Sequence, residues 1–319
     1  MKLLIITQKV SKDDPILGFF HRWIFEFSKY CESITVICLE KGSYELSQNT
    51  KVLSLGKEEG VSRLKYLSRF YSYIWKERKN YEAVFVHMNP IYVILGGMIW
   101  RMLGKKISLW YTHKNVDWKL RLAEKLTHQI FTASKESFRL SSKKLEVVGH
   151  GIDYDFFFPQ NSNVVPKSLL SVGRLMPVKR HDLAIRAAAL TGWKLSIAGD
   201  GPERENLKML AQKLGTTVEF LDSLTQTQLR DEYRKASFLI HTSETGSLDK
   251  VILEALACGL KVISTSSLSD LPIVKVFPTP EAIAEAIVHD HSPVMISSIH
   301  THHSLKDLIP KLLKSIKKL

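Results

Sequence analysis

The chain runs twice through the same alternation of strand and helix patterns, and this repetition constrains its fold more than any other feature. Short β-branched runs bounded by turn residues read as strands, and longer stretches with a 3.6-residue period read as helices. In the first half, strands are expected near 2–6, 34–39, 51–54, 82–87, 106–112, 128–132 and 145–148. Helices fall near 18–30, 61–79, 90–103, 117–126 and 134–142. The pattern then restarts, with strands near 168–172, 193–198, 217–221, 236–241, 260–264 and 273–277. Helices in this series fall near 181–190, 202–213, 225–234, 247–257 and 280–288. Such alternation implies mostly parallel sheets covered on both faces, so the fold class is α/β with two doubly wound domains. Doubly wound sheets bind ligands outside the carboxyl ends of their strands, and two that face each other would form one central cleft.

The break between the two series is Asp155 to Lys167, a polar stretch with Pro159 and Pro166. The expected division is an N-terminal doubly wound domain over 1–155 and a C-terminal doubly wound domain over 156–303. A basic amphipathic helix over 304–319 would pack back on the N-terminal domain. A length of 319 residues suits two domains.

Charge narrows the partners. The net charge is +13, and residues 1–160 hold 25 Lys and Arg against 16 Asp and Glu. Residues 161–319 hold 20 against 16, an excess that the lysines of the last sixteen residues supply. Basic charge on the first half and the tail attracts phosphate-rich partners: nucleotides, anionic lipid or nucleic acid. No recognisable nucleic-acid-binding module is present, so nucleic acid is not expected as a partner. Cys31, Cys38 and Cys258 form no disulfide or metal pattern, which fits a reducing cytoplasm. Residues 83–103 are the best membrane-spanning candidate, but His87, Asn89, Pro90 and two consecutive glycines make a strand followed by a buried helix the better reading.

Three turns in the second half carry candidate chemistry. Ser171-Val172-Gly173-Arg174-Leu175-Met176-Pro177-Val178-Lys179 leaves a strand and enters a helix. Gly173 permits a tight turn, and Arg174 and Lys179 suit a diphosphate, the first as a bidentate fork and the second as a point charge. Two solvated loop cations are the plain alternative. One βα unit later, Gly199-Asp200-Gly201-Pro202 closes a strand, with proline suited to a first helical turn. The third turn runs Ser243-Glu244-Thr245-Gly246-Ser247-Leu248-Asp249-Lys250 into a helix ending Leu253-Glu254-Ala255-Leu256-Ala257-Cys258-Gly259. Free amides at a helix start bind anions. Glu254, about two turns in on an apolar face, needs a partner, either the paired hydroxyls of a ribose or Lys250 across one turn.

This set of motifs resembles glycosyltransferase family 4. The stretch Val148-Gly149-His150-Gly151-Ile152-Asp153-Tyr154-Asp155-Phe156 is similar to that family's interdomain segment. The resemblance implies two Rossmann-like domains of the B type, a retaining transfer and no metal or other cofactor. It implies that Arg174 and Lys179 neutralise the departing diphosphate and that Glu254 holds the ribose. Gly173, Gly199, Asp200, Gly246, Ser247, Leu248, Asp249 and Lys250 would complete the donor site, with amides near Ser247 to Asp249 capping a phosphate. Gly18 matches a glycine that lets backbone approach the donor, and His113 matches a histidine facing the transferred sugar. The family usually has a glutamate eight residues before Glu254, where this chain has Gly246. Asp249 is the expected substitute, so the catalytic set is His113, Arg174, Lys179 and Asp249.

The expected activity is therefore transfer of a hexose-type sugar from a nucleotide-diphosphate sugar to a glycan or lipid-linked glycan, in cell-surface polysaccharide synthesis. The expected location is the cytoplasm, with peripheral contact to the inner membrane face. Two alternatives stand beside it: a nucleotide-sugar epimerase of the same fold, and a non-catalytic basic binding protein. Residues 62–79 hold six cations and five aromatics. Leu64, Leu67, Tyr71 and Ile74 keep a spacing that could face the core, and the remainder suits either an anionic membrane or plain solvent. The C-terminal helix is the other candidate for membrane contact. His289, His291, His300, His302 and His303 read as a solvated connector, and no metal site is expected there.

Overall fold

The computed structural model describes residues 1–160, 164–244, 246, 248–266, 271–289 and 303–319. The chain divides into two units, Met1–Gly151 with His302–Leu319, and Ile152–Thr301.

The first unit holds a seven-stranded parallel sheet in the order β3-β2-β1-β4-β5-β6-β7. Its elements are β1 (Lys2–Val10), α1 (Gly18–Ser28), β2 (Ser33–Lys41), β3 (Thr50–Ser54), α2 (Arg63–Lys76) and β4 (Ala83–His87), followed by α3 (Pro90–Met102), β5 (Lys106–Trp110), α4 (Trp118–Leu126), β6 (Gln129–Thr132) and β7 (Leu145–Val147). Strand β1 lies between β2 and β4, with Leu3 opposite both Ile34 and Ala83. Its run Leu3-Leu4-Ile5-Ile6 is wholly buried, because side chains of both parities meet a helical layer. Leu3 and Ile5 point into one core with Phe20, Trp23 and Phe27 of α1. Leu4 and Ile6 point into the other, with Phe70, Ile74 and Trp100 from α2 and α3. Local chemistry sets the helix starts. Ser62 accepts from the Lys65 amide, and Asp117 accepts from the Leu120 amide.

The second unit repeats the plan with six parallel strands in the order β10-β9-β8-β11-β12-β13. Its elements are β8 (Ser168–Val172), α5 (His181–Thr191), β9 (Lys194–Ala198), α6 (Arg204–Lys213), β10 (Val218–Phe220) and α7 (Gln226–Lys235), then β11 (Phe238–His241), α8 (Lys250–Ala257), β12 (Lys261–Ser264), β13 (Val274–Lys275) and α9 (Pro280–His289). Thr225 and Gln228 form a reciprocal capping box at the start of α7. Strand order reverses between β8 and β11, which is where doubly wound sheets open a ligand crevice.

The last helix, α10 (Leu305–Lys318), belongs to the first unit and packs on α1. Leu305, Leu308, Ile309, Leu312, Leu313 and Ile316 enter the core beside Trp23 and Phe27.

Three sequence expectations need correction. The helix expected at 134–142 is a single 3₁₀ turn over Lys135–Ser137. Serines there prefer local bonding, and Ser134 and Ser137 join hydroxyls at 2.9 Å. The helix expected from 247 begins at Lys250. In α2 the core-facing residues are Phe70 and Ile74, whereas Leu64 is 79% exposed and Leu67 lies at the surface. The segment proposed as a strand followed by a buried helix is β4 and α3. Among the described residues no helix is long and apolar enough to cross a membrane. All three cysteines are buried, and burial pushes the Cys38 and Cys258 thiols up to about 12, which makes them poor nucleophiles.

Candidate functional site: the strand ends of the second sheet

The turns after β8 and β9 interlock through backbone. The Gly173 amide donates to Ala198 O at 3.0 Å, Leu175 N donates to Asp200 O at 3.0 Å, and Glu203 N donates to Leu175 O at 3.0 Å. This closeness requires glycine. Gly199 sits at φ +146°, and a Cβ there would fall 2.0 Å from Gly173 O. Gly201, at φ +159°, would place a Cβ 2.4 Å from Leu175 O. Gly173 itself sits at φ +152°, and a Cβ there would meet Lys179 Cδ at 3.6 Å and His181 Nε2 at 3.7 Å.

Two cations leave this turn. Arg174 is exposed and makes no ion pair among the described residues. Lys179 ends a 3₁₀ turn over Pro177–Lys179, and its ammonium contacts Asp249 Oδ2. The same oxygen meets His241 Nε2 at 3.0 Å. His241 ends β11, is 4% exposed, and its Nδ1 lies 2.9 Å from Ser264 Oγ. The loop that follows β11 is tied to the 3₁₀ turn. Thr242 Oγ1 donates to Lys179 O at 2.9 Å and to Arg180 O at 2.8 Å, and Glu244 N donates to Val178 O at 2.9 Å. Arg180, held at φ +50°, pairs with Glu244 and with Asp182.

Burial pushes the Asp249 carboxyl up, but the His241 hydrogen bond and the Lys179 charge outweigh it and hold the group well below the usual carboxylate range. His181, at the start of α5, bonds Ser171 Oγ through Nδ1 at 2.9 Å, and its Nε2 faces the Gly173 turn. Burial lowers its pKa to about 4, so the ring is neutral at pH 7.

Glu254 is 2% exposed on α8. Its Oε1 lies 3.0 Å from Lys250 Nζ and its Oε2 accepts from Tyr233 OH at 3.3 Å. The pairing across one helical turn, one of the two sequence alternatives, is therefore present. Asp200 is exposed and accepts from the Gly201 amide. Gly246 has φ +59°. Leu248 sends its side chain into the core of the second unit, so only its backbone remains for a ligand. Ser247 lies outside the described residues, as do His291, His300 and His302. Among the described residues no cluster of three metal-ligating side chains forms.

In the first unit, Gly18 is the first residue of α1 and its amide donates to Asp14 O at 2.9 Å. His113 follows β5 on an exposed turn, and its Nδ1 accepts from Asn115 N at 3.1 Å. The structure thus brings Gly173, Lys179, Gly199 and Asp249 into one bonded constellation. It also adds His241, Thr242, Arg180 and His181, which the sequence reading missed. The dipeptide Arg180-His181 directly after Lys179 was a signal in plain view. His241 had none, because a residue at a strand end gives no sign that its ring meets Asp249 eight residues on and Ser264 of the next strand.

Comparison with known proteins fits this constellation. Residues 154–275 match the family described as glycosyl transferases group 1. The D-inositol 3-phosphate glycosyltransferase of Mycolicibacterium smegmatis is 31% identical over 166 residues, which cover 46% of this chain and 37% of that protein. The chain thus matches little more than a third of the length of this relative. Two solved structures share the fold over the full length of both chains. They are HepE of Anabaena in complex with UDP, with a TM-score of 0.76 at 15% identity, and the UDP-GlcNAc 2-epimerase of Methanocaldococcus jannaschii, with 0.63 at 14%. The architecture is that of the two-domain, Rossmann-like B-type fold.

Proposed function

We propose that the protein is a retaining glycosyltransferase that transfers a hexose-type sugar from a nucleotide-diphosphate donor to a hydroxyl of a glycan or lipid-linked glycan. One observation supports this reading most: two cations, Arg174 and Lys179, stand on the turn that begins at Gly173 and interlocks with the Gly199–Gly201 turn, inside the segment that matches the group 1 family. The leaving diphosphate meets Arg174, Lys179 and the amides before α8. Preorganised charge of this kind is worth about 3 kcal/mol per well-placed donor. Glu254 takes the ribose hydroxyls, for which Lys250 and Tyr233 fix its two oxygens. Asp249 Oδ2 is engaged by Lys179 and His241, which leaves Oδ1 to meet a sugar hydroxyl. Gly18 and His113 of the first unit are assigned to donor approach and to the transferred sugar. The acceptor hydroxyl attacks on the face that the diphosphate leaves, so no side-chain nucleophile is needed. The positive charge comes from side chains, and we assign no metal to the reaction.

The test is calorimetry with UDP-, GDP-, ADP- and CMP-sugars on the wild type and on Glu254→Ala. Selective binding of one nucleotide, lost in the variant, supports the reading. Absence of binding to all four sinks it, and an inverted product anomer sinks the retaining step. The epimerase reading is favoured by the shared fold alone. Conversion of the donor without any acceptor would establish it.

For location, we propose the cytoplasmic membrane face, reached through helices α2, α3 and α4. All three cover one side of the first sheet, and their outer surfaces expose Leu64, Trp75, Met98, Met102 and Trp118. Residues 62–126 hold 13 Lys and Arg against 4 Asp and Glu. That pairing of apolar tips with cations suits an anionic interface. Helix α10 is a poorer candidate, because its apolar stripe is already buried. Co-sedimentation with vesicles rich in phosphatidylglycerol should be lost in Trp75→Ala/Met102→Ala/Trp118→Ala. Equal recovery of that variant would remove the proposal.

A further inference from the structure

Lys179 and Arg174 are unlike partners for an anion. Arg174 is an exposed cation without an ion pair among the described residues, whereas Lys179 is engaged by Asp249. The contact is built in from both sides. Thr242 and the Glu244 amide pin the 3₁₀ turn that carries Lys179, and His241 holds the carboxylate that receives it. His241 is fixed in turn by Ser264, whose Oγ lies 2.9 Å from Nδ1 and is itself held by the Ser266 amide at 3.2 Å and the Ser266 hydroxyl at 2.8 Å. Because the Asp249 carboxylate can only accept, Nε2 of His241 carries the proton of their contact.

We infer that Asp249 is a resident counter-ion of the donor site, which competes with a ligand's phosphate for Lys179 and releases it to the diphosphate as negative charge grows there. The inference rests on the reading of this site as one for a nucleotide diphosphate. Its physical basis is the second hydrogen bond on Asp249. A buried carboxylate deprived of its only partner is strongly destabilised, but Asp249 retains His241 when Lys179 turns away. The exchange therefore leaves the carboxylate hydrogen-bonded. Charge on the diphosphate is largest as the sugar bond breaks, so a shared lysine is drawn to it more strongly then than in the ground state. Interactions that strengthen toward the transition state accelerate the step, and those already present in the ground state do not. The same competition weakens the hold on the departing nucleoside diphosphate.

The test uses the full chain as wild type, Asp249→Asn, Lys179→Ala and the double variant. Binding of inorganic pyrophosphate, UDP, GDP and ADP is measured by calorimetry, with thermal melting to check folding. Asp249→Asn should bind the anions about 10-fold tighter than wild type, as expected for removing one close competing charge. That gain should vanish when Lys179 is also removed. Unchanged or weaker affinity in Asp249→Asn overturns the inference, as does a gain that persists without Lys179. If one nucleoside diphosphate binds wild type and Asp249→Asn alike, the donor-site reading stands and the counter-ion falls. If pyrophosphate shows the Lys179-dependent gain while no nucleoside diphosphate binds, the counter-ion stands and the donor-site reading falls. If nothing binds any of the four proteins, both fall. Should Asp249→Asn melt early, Asp249→Ser replaces it, with the same two outcomes.

Discussion

The two sheets share a winding order, yet the ends of their strands have been put to different uses. In the second unit the strand ends are bare backbone, with Gly173, Gly199 and Gly201 all at positive φ and cations beside them. In the first unit the corresponding space around β1 and β4 is filled with rings. His87 stacks on Phe20 at 3.8 Å, and Trp23 stands edge-on to Trp110 at 4.8 Å. Trp23 also donates to Gly151 O at 3.1 Å. A shared frame therefore does not define a shared site. The second unit packs backbone on backbone beside charged side chains, and the first covers the same places with aromatic surface.

Four experiments probe this contrast, in order of expected effect. Trp23→Ala should destabilise the protein by about 3–5 kcal/mol, the usual cost of truncating a large core aromatic. Chemical denaturation checks this, and a loss below about 1 kcal/mol would mean that the ring cluster is not structural. Arg174→Ala should lower kcat/KM for the identified donor by about 100- to 1,000-fold while leaving melting unchanged. Equal loss of stability would place Arg174 in the fold rather than the chemistry. Gly199→Ala should cost about 2–4 kcal/mol, because its Cβ would collide with a carbonyl that cannot move without breaking the neighbouring turn. The smallest effect is a pH dependence. His181 has a folded pKa of about 4, lowered by burial from 6.5, so the unfolded chain takes up the proton first on acidification. Its stabilising contribution is complete above the unfolded pKa and is lost as pH falls from 6.5 to about 4. Denaturation at several pH values should show a decline of at most about 3 kcal/mol across that window, flattened in His181→Gln.

Much of the frame was readable from local pattern. Buried parallel strands are runs such as Leu3-Leu4-Ile5-Ile6, and these need no distant information. The phosphate turns were also legible, since Gly173, Arg174 and Lys179 lie within seven residues. The orientation of α2 was not. The expected stripe of Leu64, Leu67, Tyr71 and Ile74 and the observed pair Phe70 and Ile74 share Ile74, and the 3.6 period is satisfied by either. Packing against Tyr92 and Trp100 decides between them. The partners of Asp249 were hidden for a related reason. Lys179 is 70 residues away in the chain, and only the order of strands brings β8 and β11 side by side. Helix 134–142 failed because its serines found bonds of their own.

Helix α10 gives the molecule an unusual history during synthesis. The chain lays down the first sheet, departs for some 150 residues to make the second unit, and only then supplies six apolar side chains that the first core requires. While the second unit is being made, α1 has an uncovered flank around Trp23 and Phe27. The first unit is thus the earlier to begin and the later to finish, and a chain interrupted before Leu305 would present that flank to solvent or to a chaperone.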